Sequence, residues 1–123
     1  MSLPARFKLV FFSPPAALPA IKTAIFATGA GRYPGPGDYT ECGFTTLGKG
    51  QFRPGASANP HLGKPGDLEE VEEVRFETLC VGQDVAKKAV EALKKESELM
   101  TNVAKRAHPY EEVPYEVYKM EDF

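Results

Sequence analysis

Tryptophan is absent from this chain, and cysteine and histidine occur only twice each in 123 residues. Cys42 and Cys80 have no CxxC spacing. That excludes a paired-thiol redox or zinc-ribbon motif and fits two reduced thiols in a cytosolic protein. No apolar run approaches the ~20 residues of a membrane span. The N-terminus lacks the charged-then-apolar pattern of a signal peptide, so the expected location is the cytoplasm. There is also no excess of basic charge: 15 Lys and Arg stand against 17 Asp and Glu, mixed along the chain. A nucleic-acid surface needs a basic face, and so does electrostatic attachment to anionic membranes. Neither partner is expected.

What is present reads as one domain over residues 1–123, with a core from about 6 to 120. A chain of this length buries roughly two-thirds of its unfolded surface. Arg6 to Phe12 alternates as a strand, with Phe7, Leu9 and Phe11 on one face and Lys8, Val10 and Phe12 on the other. Both faces are largely apolar. A sheet with helices on one side only should carry a more polar second face, so a second copy is expected to cover it. Ser13-Pro14-Pro15 breaks the strand, with Ser13 a candidate cap. A regular helix starts at Pro19 and ends at Gly29-Ala30-Gly31, and Leu18, just before it, shares helical spacing with Ile21 and Ile25.

Most of the eleven glycines then fall between residues 29 and 66. Tyr39 to Leu47 reads as a strand. Leu47-Gly48-Lys49-Gly50 reads as a turn and Gln51-Phe52-Arg53 as a short returning strand. A long loop runs from Gly55 to Gly66. Asp67 to Leu79 opens acidic and becomes a strand with Val74, Phe76 and Thr78 on one face. Glu73, Arg75, Glu77 and Leu79 fall on the other, where the Glu-Arg-Glu alternation suits pairing with a neighbouring strand or subunit. Gly82 to Ala107 is the strongest helix, stopped by Pro109. Val113 to Met120 is the last strand. The order gives an α+β fold of ferredoxin-like βαββαβ type. It has one antiparallel sheet, two helices on one face, and an extra β-hairpin and long loop after the second strand.

Several motifs recur in a known order. They are Gly29-Ala30-Gly31, Tyr39-x-x-Cys42-x-Phe44, Gly48-x-Gly50-x-Phe52-Arg53-Pro54, Asn59-Pro60-x-x-Gly63, Glu72-Glu73-Val74-Arg75-x-Glu77 and His108-Pro109-Tyr110-Glu111-Glu112. Together they resemble the domain inserted in YqfO-type proteins, the family labelled GTP cyclohydrolase type 2-like. That domain is similar to PII signalling proteins and to CutA, the divalent-cation tolerance protein. The resemblance implies a PII/CutA-like fold that self-associates, as a homotrimer or else a dimer. It does not reach the family's two outer metal-binding lobes, so the cyclohydrolase label is not carried over. The segment from Arg32 to Asp38 is richer in proline and glycine than the family pattern.

The chemistry-bearing residues cluster at element junctions. His108 titrates near neutrality and can bind a ligand, move a proton or coordinate a metal. It is read first as a helix-terminal residue bonded to backbone, then as part of a ligand pocket with Tyr110, Glu111 and Glu112, and last as a metal ligand. His61, His108 and Glu112 suit a divalent metal by type but follow no recognised spacing. Arg53 and Asn59 flank glycine-rich turns whose backbone N–H groups can approach an anion. Tyr39 and Cys42 complete the candidate set. Cys42 has no neighbouring base in sequence to activate its thiol. With no paired-carboxylate or multi-histidine constellation, the leading expectation is a non-catalytic module. It would bind a small anionic ligand or a protein partner between subunits. A CutA-like metal-binding protein, a structural module and a detached subunit of a YqfO-like hydrolase are the alternatives.

Overall fold

A computed structural model describes residues 4–58, 63–103 and 113–123. The elements are β1 (Arg6–Ser13), a 3-10 turn (Pro15–Ala17), α1 (Leu18–Phe26), β2 (Gly43–Phe52), β3 (Glu69–Val81), α2 (Gln83–Val103) and β4 (Tyr115–Met120). The four strands form one antiparallel sheet in the order β2-β3-β1-β4. With both helices packed on one face, this is the ferredoxin-like α+β arrangement expected from the element order.

Strand alternation sets the two faces. In β1, Leu9 and Phe11 point to the helices and are fully buried with Phe76 and Cys80 of β3. The Phe11 and Phe76 rings meet with centroids 5.5 Å apart, and Phe26 of α1 packs edge-on against Phe76 at 6.0 Å. From above, α1 contributes Leu18, Ile21 and Ile25, and α2 contributes Ala86, Ala89 and Leu93. Each fully buried large aliphatic or aromatic side chain is worth about 1.5–3 kcal/mol of transfer free energy. The small alanines let the two helices sit close together on the sheet.

Five local expectations change. First, β2 is not a hairpin: it runs unbroken through Gly48-Lys49-Gly50, pairing Gly48 with Glu73 and Gly50 with Val71. The predicted turn and the returning strand Gln51–Arg53 are therefore absent. Glycine permits a turn but does not compel one, and the long partner strand β3 holds the pair extended. Secondly, Tyr39–Cys42 is not strand. Asp38 and Glu41 take φ of 54° and 55°, which curls the backbone before Gly43. Thirdly, Ser13 does not cap the helix; its buried hydroxyl donates to the Pro14 carbonyl at 2.9 Å. Fourthly, β4 starts at Tyr115 rather than Val113, which packs on the core instead. Finally, Pro19 lies inside the first turn of α1, where its missing N–H is not needed.

The face away from the helices is less bare than alternation implies. Val10 has no exposed surface and Leu79 is 8% exposed, although no helix covers them. Val10 sits opposite Glu77 on one side and Glu116 on the other. Lys8 meets Glu77 at 3.4 Å, and so does Arg75. The Tyr118 phenol hydrogen-bonds the Glu116 carboxylate, which raises its pKa above the ordinary phenol value; Arg75 opposes the shift. Aliphatic stems of charged residues thus shield the strand centre within one copy.

Candidate functional site

Gly31 draws the segment after α1 onto the end of β3. Its N–H donates to the Leu79 carbonyl at 2.7 Å, and its own carbonyl accepts from Cys42 at 2.8 Å. The Thr78 hydroxyl donates to the Cys42 carbonyl at 2.7 Å. These bonds bring the loop against the open face and form a shallow pocket of about 220 Å³. Arg6, Lys8, Tyr33, Cys42, Glu77 and Met120 line it. Arg6 is paired with Asp122 at 3.1 Å, and Lys8 with Glu77. The pocket supplies charge and a half-buried thiol. The contact found for the Cys42 sulfur is to the Thr40 carbonyl at 3.8 Å, which cannot serve as a base to activate a nucleophile.

Of the candidate site residues that the structure describes, Cys42 alone lines this pocket. Tyr39 is 70% exposed and lies against Gly37 instead. Arg6, Lys8 and Tyr33 were missed. The one available signal was the alternating Glu-Arg-Glu of β3, which pairs Glu77 with a lysine of β1.

Arg53 sits at the other end of β2. Ten strand residues at ~3.3 Å each separate it from Cys42 by roughly 30 Å. The two do not share a pocket within one copy. The Arg53 guanidinium donates to the Gly66 carbonyl at 2.6 Å, and the Gly66 N–H donates to Pro54 at 2.7 Å. Arg53 thus closes the neck of the loop that follows β2.

Asn59, His61, His108, Tyr110, Glu111 and Glu112 lie outside the described residues. Among the described residues, no three His, Cys, Asp or Glu side chains are grouped to hold a metal ion. The chain does rejoin the sheet at a definite point: the Phe12 N–H donates to the Pro114 carbonyl at 3.1 Å. That is the end of β1 where Ser13 meets Val74, and the β2–β3 ribbon carrying Arg53 projects beyond the same end.

The two thiols should separate cleanly. Cys80 is fully buried, and burial pushes its pKa up to about 11. With a thiol-reactive probe at pH 8 under native conditions, Cys42 is expected to be labelled and Cys80 to react only on denaturation. Tryptic mass spectrometry after a timed quench reads both sites.

No family model matches the chain. It is 36% identical over 114 residues to the GTP cyclohydrolase 1 type 2 homologue of Halalkalibacterium halodurans, covering 93% of this chain and 27% of that protein. The Bacillus subtilis homologue of the same name is also 36% identical over 114 residues, with 26% of it covered. Among solved structures, a Bacillus cereus protein related to NIF3 matches 99% of this chain and 27% of its own, with TM-score 0.73 and 31% identity. A Bacillus subtilis GlnK–ATP complex matches 95% of this chain and 84% of its own, with TM-score 0.52 and 14% identity, a likeness of fold alone. The chain spans about a quarter of the length of the curated relatives it matches. No helix among the described residues is long and apolar enough to cross a membrane. Over nearly its whole length the chain is therefore similar to a stretch of about a quarter of the GTP cyclohydrolase 1 type 2 homologues, and its fold is like that of GlnK.

Proposed function

We propose that the chain acts as a PII-like oligomeric module, a homotrimer, that binds a small anionic ligand or a protein partner in clefts between its copies. It holds its ligand without catalysing a reaction on it. The observation that carries this reading is the open sheet. One face has no helix over it and presents Phe44 at 65% and Tyr118 at 49% exposure. Both sheet edges, β2 and β4, have no further strand beside them among the described residues. Exposed aromatics and free strand edges on a small domain invite a second chain. Since the two edges differ, a contact between unlike edges is heterologous, and such contacts form a ring where the rotation between copies closes.

The ligand cleft is assigned to Arg53, Asn59, His108 and Glu112, with Tyr110 and Glu111 beside them. Its support is topological: Arg53 and the strand entry after Glu112 belong to the same end of the sheet. Arg53 and the glycine-rich loop favour an anion. Tyr39 and Cys42, at the opposite end, would reach this cleft only from a neighbouring copy.

Native mass spectrometry of the full chain, with ATP and inorganic phosphate as probes, tests the reading. The expected result is a trimer that retains added anion. Arg53→Lys with His108→Gln should weaken retention with the subunit count unchanged. A monomer at tens of micromolar, or anion uptake indifferent to both substitutions, overturns it.

A further inference from the structure

A second surface lies on the helix side of the sheet, between α2 and the edge strand β4. It is an open groove of about 390 Å³, floored by Phe7 and walled by Ala86 and Val90 on one side and Tyr115 and Val117 on the other. Tyr115 is 37% and Val117 42% exposed, although both point to the same face as the buried Leu9 and Phe11. The rim is basic. Lys87 lines the groove, Lys94 lies over the Tyr115 ring at 5.2 Å, and Lys119 follows Val117 on the same face of β4. Glu91 is the one acid among the described lining residues.

The same chain carries a segment of opposite character. β3 begins five residues before its pairing with β1 starts at Val74, so residues 69–73 pair with β2 alone among the described residues. Glu70 and Glu72 of this stretch are exposed and face the helix side of the sheet, in phase with Val74 and Phe76. Leu68, just before it, is 49% exposed.

We infer that the acidic ribbon edge of one copy docks along β4 of the next, with Glu70 and Glu72 against Lys87 and Lys119 and Leu68 over the apolar floor. Strand addition would satisfy the β4 edge, and the groove would take the side chains of the incoming strand. The inference rests on the oligomeric reading above and names the surfaces that would form its ring. Opposite charge on the two surfaces fixes which edge meets which and suppresses like-with-like pairing.

Charge reversal with rescue tests it. Lys87→Glu with Lys119→Glu changes exposed positions and should leave the fold intact, as read by circular dichroism. It should raise the dissociation constant of the assembly by ~10- to 100-fold in sedimentation velocity. Glu70→Lys with Glu72→Lys should do the same. The four changes combined in one chain should restore assembly, an outcome that misfolding cannot imitate. If either double variant assembles as the parent does, or the fourfold variant fails to recover, this interface is wrong while the oligomeric reading stands. If the parent chain is a monomer, both fall.

Discussion

Phe11→Ala should cost about 3–5 kcal/mol of folding stability. Phe11 has no exposed surface, lies in the strand that pairs on both sides, and packs its ring against Phe76 at 5.5 Å. Truncation removes the transfer free energy of the ring and leaves a cavity. The surroundings resist collapse into it, because β1 is held by β3 and β4 and roofed by both helices. Domains of this size have about 5–15 kcal/mol in total, so the loss is a large fraction. The expected shift is ~10–20 °C in Tm, measured by differential scanning calorimetry. Phe123→Ala is the control: that side chain is wholly exposed, and its loss should stay within ~0.5 kcal/mol. Equal effects from the two substitutions would mean the core is not centred on β1.

Gly31→Ala should be a damaging substitution beside the site, at about 2–5 kcal/mol. Two costs combine. The backbone there has φ of 82°, and a Cβ in left-handed geometry costs about 1–2 kcal/mol. The new methyl would also stand 2.7 Å from the Phe26 ring and 3.1 Å from the Cys42 nitrogen. Such overpacking typically adds about 1–3 kcal/mol. Gly31 is the tie between β3 and Cys42, so the same substitution should accelerate Cys42 labelling by loosening its anchor. Gly48→Ala provides the contrast. A Cβ at Gly48 meets nothing within 4 Å, and its φ is ordinary for a strand. That change should be neutral or stabilising by up to ~1 kcal/mol. An unchanged melting curve and labelling rate for Gly31→Ala would refute the anchoring role.

The groove and the pocket differ in how far sequence could reveal them. The groove residues Tyr115 and Val117 were visible as the apolar positions of a last strand, but reading them as core was natural. Only the sheet order shows that β4 is an edge, where α2 leaves those side chains half uncovered. The pocket at Cys42 combines residues about seventy positions apart in the chain, Arg6 and Lys8 from β1 with Glu77 from β3. Nothing local links them. Their meeting depends on the β1–β3 register, in which Lys8 lies opposite Leu79 and two pairs away from Glu77, on the same face of the sheet.

By itself the sequence determined what depends on local periodicity. Alternation in Arg6–Phe12 and Val74–Leu79, helical spacing at Leu18, Ile21 and Ile25, and the breaks at Pro14, Gly29 and Gly82 are enough for the βαββαβ order. They also assign each strand face correctly, because side chains alternate whatever the partner. The tertiary structure alone decided whether Gly48-Lys49-Gly50 turns or runs straight. Glycine allows both conformations at similar cost, and the outcome is set by ten backbone pairings to β3, contributed by residues far along the chain. It likewise decided that Arg53 would close a loop at one end of β2 while Cys42 lines a pocket at the other, since strand length acts only once the strand is formed.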